Sequence, residues 1–279
     1  MNKLLIANIK RIFKIKTLYI CLAVITVLDA VDIIKECISA EAKDTLPAPD
    51  GYLLSGFLMI VLLSAVFITS FLGSEHAFGT IRNKLSVGYS RIKIYFSSFT
   101  ACYAAVMIMY ITVWVLTFVL GTLLLGGFRF TAEELLIKLL ISFLSITALT
   151  ALYVLIGLCI QSKSLGSVTA VIAAFIMMIT GVGTTIMLSQ PEYISSAITL
   201  VDTEQTYELS PDDPTLVKNP DYISGTKRRN FQIADDLCPV SQLLGERNTL
   251  DAKNVVIPIA ETVILMAAGA MIFKKRDLK

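Results

Sequence analysis

A polar segment at residues 74–96 carries the side chains of this sequence that are best suited to specific chemistry. Its one acid is Glu75, which is followed by His76, the only histidine of the chain, and by four basic residues. A carboxylate among cationic side chains can form charge-assisted hydrogen bonds that fix a turn or a docking surface. We therefore expect Glu75 to pair with Arg82 or Arg91. A single histidine argues against a His-based metal site or a catalytic triad.

Three further carboxylates interrupt stretches that are otherwise apolar. Asp29 and Asp32 are three residues apart, one helical turn, and Glu261 follows Pro258 near the other end of the chain. Ionisable groups in apolar helices usually face protein or a water-filled path, which here would suit a cationic or amphipathic substrate. Alternatively, the aspartates lie at the level of lipid headgroups and Glu261 caps backbone groups freed by Pro258.

The uncharged run at residues 164–191 contains Gly181 and Gly183, and two threonines follow them directly. The second half of this run therefore carries small and polar side chains. Such residues let neighbouring helices approach closely, and they can also form a weak hinge or line a pore. With Asp29, Asp32 and Glu261, the two glycines form the candidate substrate path.

The composition of the whole chain indicates a membrane protein. Of its 279 residues, 55% are apolar and only 16% are charged, against roughly a quarter charged in soluble domains. The mean hydropathy is +0.73. Soluble enzymes, nucleic-acid binders, secreted disulfide scaffolds and disordered chains all fit these values poorly, so no nucleic-acid partner is expected.

Six uncharged or nearly uncharged runs are each about as long as a membrane-crossing helix, which needs about 20 residues. The sequence therefore predicts an all-α membrane protein with five spans within residues 17–189 and a sixth at 255–273, followed by a cytoplasmic tail at 274–279. In the order of the chain, the runs are 17–34, 51–74, 94–128, 139–162, 164–191 and 255–273.

The distribution of charge predicts the orientation of these spans. With the N-terminus inside, the inner segments hold 14 basic and 2 acidic residues, whereas the outer segments hold 10 basic and 17 acidic residues. Lys and Arg accumulate on the cytoplasmic side of membrane proteins. Both termini are therefore expected in the cytoplasm, and residues 190–254 outside.

Residues 1–16 are expected to form a basic amphipathic helix in the inner headgroup layer, where membrane lipid is its partner. Leu5 and Ile12 share one helical face, and Lys3 and Lys10 share another. Two alternatives remain: these charges are only the flank of the first span, or the start of the chain is a cleaved signal peptide.

Residues 190–254 are predicted to form a small extracellular subdomain between the fifth and sixth spans. This segment is rich in proline and has an excess of acids, as loops and turns do. Cys37 and Cys238 both fall in predicted outer segments. They are therefore candidates for a disulfide, with two free thiols as the alternative.

The inner segment between the second and third spans resembles the membrane subunits of type-2 ATP-binding-cassette exporters, in particular bacterial permeases for export of, or immunity to, antimicrobial peptides and lantibiotics. That family has a pattern like E-x-x-x-G-T-x-R-N-x-L-x-x-G-x-S-R after its second span. The residues of this sequence that match the pattern are Glu75, Gly79, Thr80, Arg82, Asn83, Leu85, Gly88, Ser90 and Arg91.

The resemblance implies that this segment, His76 included, is a coupling helix that docks on a separate ATPase subunit. Two copies of the ATPase and a second copy of this chain are the implied partners. ATP and Mg²⁺ would be bound by the ATPase, because no phosphate-binding G-x-x-x-x-G-K-[ST] motif occurs in the sequence. The chain itself is then a permease without catalytic, cofactor-binding or metal-binding residues.

The function implied is export of a hydrophobic or peptide substrate across the bacterial cytoplasmic membrane. The alternative is a membrane anchor or sensor that engages a partner through the large loop without transport.

The predicted orientation is testable by cysteine labelling in intact cells. A cysteine introduced at Thr215, in the predicted outer segment, should react with a membrane-impermeant maleimide, whereas one at Ser86 should not. Labelling in the reverse order would contradict the orientation.

Overall fold

The computed structural model describes residues 2–43, 52–124, 130–195, 216–245 and 251–275. These residues contain ten α-helices and two short β-strands. In chain order, they are α1 Asn2–Ile12, α2 Lys16–Lys43, α3 Tyr52–Ala77, α4 Thr80–Ser86, α5 Arg91–Leu124, α6 Ala132–Cys159, α7 Lys163–Ser189, β1 Tyr193–Ser195, β2 Leu216–Lys218, α8 Gly225–Leu237, α9 Pro239–Leu244 and α10 Ala252–Lys275.

Six helices, α2, α3, α5, α6, α7 and α10, are long and apolar enough to cross a membrane. Each covers most of one of the six runs predicted from the sequence, so the prediction of an all-α protein with six candidate spans is confirmed. Helices suit such runs because in lipid each backbone N–H and C=O needs a partner within the protein, and a helix supplies it locally.

Helix α3 lies at the centre of the bundle and packs on α2, α5, α6 and α7. Of its most apolar stretch, 67% is buried within the protein, against 17% for α7 and 11% for α10. The outer sides of α7 and α10 are therefore left for lipid or for another protein, whereas α3 is held on nearly all sides.

Helix α1 packs along the start of α5. Leu4, Asn8 and Ile12 recur every four residues and are buried, and Asn8 Nδ2 donates a hydrogen bond of 3.0 Å to Ser97 Oγ. A helix in this part of the chain was expected, but its buried face includes Asn8. Its position in the headgroup layer stays a prediction.

The segment between α7 and α10 contains two short antiparallel strands, in which Tyr193 of β1 pairs with Lys218 of β2. Helix α8 follows and has no buried residue. Residues 196–215 and 246–250 of the predicted extracellular subdomain, and 276–279 of the predicted tail, lie outside the described residues.

Helix α9 is inserted among the long helices rather than standing outside them. All six of its residues are buried, and it packs on α6, α7 and α3. Just before it, the Cys238 sulfur lies 3.5 Å from the carbonyl oxygen of Met177. Met177 is about 18 Å along the axis of α7 from its Ser189 end, at 1.5 Å per residue. The part of 190–254 that forms α9 is therefore packed on the long helices, and the extracellular position of this segment stays a prediction.

Side chains satisfy the polar groups that α9 brings into the bundle. Gln242 Nε2 donates to the carbonyl oxygen of Asp236 at 2.8 Å, and Gln242 Oε1 accepts from Ser145 Oγ at 2.9 Å. At the other end of α9, the buried Lys138 donates to the carbonyl oxygen of Gly245 at 3.2 Å. Without these partners, a short helix at this depth would leave carbonyls unpaired, at a cost of about 1–3 kcal/mol each.

The depth of α9 also explains why the candidate disulfide is absent. Cys37 and Cys238 are both free thiols. The Cys37 sulfur lies 3.5 Å from the carbonyl oxygen of Leu124 on α5, whereas Cys238 is buried against α7. The sequence predicted both cysteines in outer segments, but it gave no sign that Cys238 is buried against the long helices.

The close packing of α9 on α7 predicts opposite effects of alanine at two nearby glycines. A Cβ at Gly181 would lie 2.8 Å from Val240 Cγ1 and 2.9 Å from the backbone nitrogen of Ser241, whereas a Cβ at Gly183 meets nothing within 4 Å. Gly181→Ala should therefore destabilise the protein by about 1–3 kcal/mol through overpacking. Gly183→Ala should stabilise it by up to about 1 kcal/mol through helix propensity.

Thermal unfolding in detergent measures both effects. Displacement of α9 should also make the buried Cys238 of Gly181→Ala react faster with maleimide. Equal stability of the two variants would contradict the packing described.

Candidate functional site

The segment matching the exporter motif forms a compact turn–helix–turn between α3 and α5. Gly79 precedes α4 with φ 63°, and Gly88 follows it with φ 94°. These are left-handed backbone conformations that glycine adopts without the strain that a Cβ causes. The two motif glycines therefore set the angles at which the chain enters and leaves α4.

Glu75, near the end of α3, anchors this segment through ion pairs. Its carboxylate has no exposed surface, and its Oε1 accepts hydrogen bonds from Lys84 Nζ at 2.7 Å and from Arg11 Nη1 at 3.1 Å. Lys84 lies on α4 and Arg11 on α1, so one carboxylate at the end of α3 joins three helices. The expectation of an ion pair is confirmed, but the predicted partners are wrong.

The two arginines expected to pair with Glu75 point elsewhere. Arg82 lies on the exposed side of α4. Arg91 Nη1 donates at 3.4 Å to the carbonyl oxygen of Phe273, near the end of α10. A basic side chain at that position satisfies a carbonyl that the helix itself leaves unpaired. Arg91 thus ties the start of α5 to the end of α10.

Helix α4 has an inner face and an outer face. Ile81 is buried and Leu85 is half-buried, while Asn83 is exposed on the other side. Phe78 and Val87 flank the helix, and 77% of each side chain is exposed. Apolar side chains displayed in this way at a projecting turn are a common feature of protein–protein contacts.

The remaining motif residues support the turns on either side. Thr80 is the first residue of α4. The Ser90 hydroxyl accepts a hydrogen bond of 3.4 Å from the backbone N–H of Lys93 and caps the start of α5. His76 is half-buried at the end of α3 and has partners within the structure.

A second region with polar groups lies where α7, α8 and α9 meet. The Thr184 hydroxyl is 2.8 Å from Ser241 Oγ and 3.1 Å from Asp235 Oδ1. Beside it, a cavity of about 320 Å³ separates α7 from α8, with Thr184, Gly183 and the α8 residues Asn230 and Phe231 in its walls. Its lining is mixed apolar and polar, as in sites for amphipathic molecules.

The two glycines of the candidate substrate path thus have different surroundings. Gly183 lines the cavity, where the absence of a side chain keeps space open. Gly181 packs against Val240 and Ser241, and its lack of a side chain leaves the room that α9 occupies.

The three intramembrane acids do not form one cluster in the described residues. Asp29 is 2% exposed and faces α3 and α5, where a Cβ on Gly56 would lie 3.0 Å from its Oδ1. Asp32 is half-buried on the same helix, which continues to Lys43. Glu261 is half-buried on α10, which packs on α6 and α5. Asp29 is therefore enclosed by protein, whereas its depth in the membrane stays a prediction.

Several residues that shape these regions were not singled out from the sequence. Arg11 and Lys138 looked like flanking charges, and Lys84 occupies a variable position of the motif. Gln242 carried no local signal. The described residues also contain no group of three or more His, Cys, Asp or Glu side chains that could hold a metal ion.

The buried position of Glu75 predicts a large loss of stability when it is removed. Glu75→Ala leaves Lys84 and Arg11 without their shared anion, and breaking a buried ion pair costs about 3–5 kcal/mol. Arg82→Ala, on the exposed side of the same helix, is the matched control and should change stability by less than about 0.5 kcal/mol. Chemical unfolding of the purified chain in detergent gives both values, and equal losses would contradict the anchoring role of Glu75.

Comparison with known proteins gives the family of the chain. A family model described as "ABC-2 family transporter protein" matches residues 11–278. No curated protein matches the chain. The match covers nearly all of the sequence, including α4 and the six long helices, so the protein belongs to the ABC-2 transporter family and is the membrane component of an ATP-binding-cassette transporter.

Proposed function

We propose that this chain is the permease subunit of an exporter and that α4 is its contact with a separate ATPase subunit. The observation that carries the proposal is the geometry of α4. A seven-residue helix projects between two left-handed glycines, is held on its inner side by Glu75, and is flanked by the exposed Phe78 and Val87. A rigid, projecting element of this kind can receive a displacement and pass it on.

The ATPase supplies the energy in this proposal. ATP and Mg²⁺ bind to two copies of the ATPase, and each copy receives one α4. Arg82, Asn83, Phe78 and Val87 offer it basic, polar and apolar contacts on one surface. This arrangement requires the N-terminus, α4 and the end of α10 to lie on the cytoplasmic side, as the charge distribution predicts.

The second copy of the chain is proposed to pack against the exposed side of α7. That side carries a row of apolar residues, among them Ile172, Ile176 and Ile179, of which more than half of each side chain is exposed. The cavity lined by Gly183 opens between α7 and α8, so a substrate path at the interface of two permeases would pass it.

The proposed substrate is a hydrophobic or peptide compound, with antimicrobial peptides in a bacterial host as the first candidate. The mixed lining of the cavity suits an amphipathic molecule, and the half-buried Asp32 and Glu261 are the acids proposed to favour a cationic one. The enclosed position of Asp29 assigns it to the inside of the bundle rather than to the mouth of the path.

Reconstitution with the ATPase subunit tests the coupling role. Val87→Ser should reduce co-purification of the ATPase about fivefold, because an exposed apolar anchor is lost from the contact. Glu75→Gln should reduce the stimulation of ATP turnover by an added lantibiotic peptide, because α4 is no longer held to α3. The basal turnover of the ATPase alone should not change.

The matched control is Leu136→Ser, which removes an exposed apolar side chain near the start of α6. It should leave both readouts at wild-type values. Wild-type co-purification and stimulation in Val87→Ser and Glu75→Gln would overturn the proposal. A wild-type chain that retains no ATPase would favour an anchor or sensor.

A further inference from the structure

A cavity of about 190 Å³ lies beside the Glu75 cluster, where the junction of α1 and α2 meets α3 and the start of α7. Each of the four helices, α1, α2, α3 and α7, contributes at least one polar residue to its lining. The polar residues are Arg11, Thr17, Ser70, Ser74 and Lys163. Two cations and three hydroxyls are the groups with which proteins bind phosphate.

No carboxylate is among the residues that line this cavity. Glu75 lies behind Arg11 and is shared with Lys84, so the local cluster of Arg11, Lys84, Lys163 and Glu75 keeps an excess of positive charge. Because a guanidinium carries five N–H donors, Arg11 can hold Glu75 and still donate into the cavity.

Packing fixes Lys163 at the edge of the cavity. A Cβ on Gly73 would lie 2.8 Å from the Cα of Lys163, so the start of α7 packs directly on the backbone of α3. Ser162 caps this helix end, its Oγ accepting from the backbone N–H of Leu165 at 3.4 Å. Lys163 is thus the first residue of α7, where the helix dipole adds to the positive potential.

The rest of the lining is apolar and consists of Ile15, Phe67, Phe71 and Phe78. The Arg11 guanidinium carbon lies 5.8 Å from the centroid of the Phe71 ring, which helps to position the side chain. A phosphate free in solution gains nothing from these side chains, whereas a lipid carries apolar chains next to its phosphate.

The cavity also lies at the level expected for lipid headgroups. Two candidate spans, α2 and α7, begin at Lys16 and Lys163, next to its lining residues. The first residues of a span lie at the boundary between the hydrocarbon and the headgroups.

We propose that this cavity binds the phosphate of an anionic membrane lipid, held between Arg11 and Lys163 with hydrogen bonds from Ser70 or Thr17. The bound phosphate would join α1 to α7 next to the ion pairs of Glu75. An anionic lipid would then stabilise the same helices that carry α4.

Native mass spectrometry of the full chain in neutral detergent tests the site without ATPase or substrate, so its result is independent of the proposed transport function. Wild-type protein should retain phosphatidylglycerol about fivefold more than phosphatidylcholine with the same acyl chains. Lys163→Gln keeps the packing on Gly73 but removes the charge, and should abolish most of this preference, since one basic residue near an anionic lipid contributes about fivefold. Ser70→Ala keeps the charges and should lower retention about two- to threefold.

The matched control is Lys93→Gln, which removes an exposed lysine near the start of α5, at the same end of the bundle. It should keep the wild-type preference. An equal loss in Lys93→Gln and Lys163→Gln would show a diffuse surface charge and overturn the site, as would equal retention of the two lipids by wild-type protein. Displacement of the lipid by equimolar glycerol phosphate would overturn the assignment to a lipid and indicate a soluble phosphate.

Discussion

The carboxylate of Glu75 has no exposed surface at the end of an otherwise apolar helix, and an ion in such a place persists only if opposite charges surround it. Those charges come from Lys84 on α4 and Arg11 on α1. The positions of α1 and α4 therefore depend on each other, because both helices pair with the same carboxylate of α3. A displacement of either helix would leave a buried charge without one of its partners, so the three helices are held as one unit.

The far part of the bundle is held by a different interaction. Hydrogen bonds fix helix α9 to its neighbours: Gln242 bonds to α6 and α8, Ser241 bonds to α7, and Lys138 of α6 donates to the carbonyl oxygen that follows α9. Each contributes only about 1 kcal/mol net, but each is costly to leave unmade at that depth. Their geometry therefore fixes the register of α9, and the absence of a side chain at Gly181 allows its close contact with α7.

The sequence was sufficient for the features that depend on nearby residues. Uncharged runs predicted all six spans, and the motif within 74–96 implied a helix there, which is α4. The partners of Glu75 and the place of α9 depend on residues far apart in the chain, such as Arg11 and Glu75, separated by 64 positions, or Ser145 and Gln242, separated by 97. A six-residue helix carries no hydropathy signal for insertion, so the burial of Cys238 against α7 was not foreseen and a disulfide was a candidate.

Helix α3 is the element that contacts both regions. Its end carries Glu75, and along its length it packs on α7 and α9. On its other side, α4 leads into α5, whose Arg91 binds the end of α10. If a bound ATPase displaces α4, the paired charges prevent α4 from moving without α3, and the close packing of α3 prevents it from bending alone. The displacement is then passed on to α7 and α9, which lie beside the cavity between α7 and α8. This connection is mechanical and involves no chemical step.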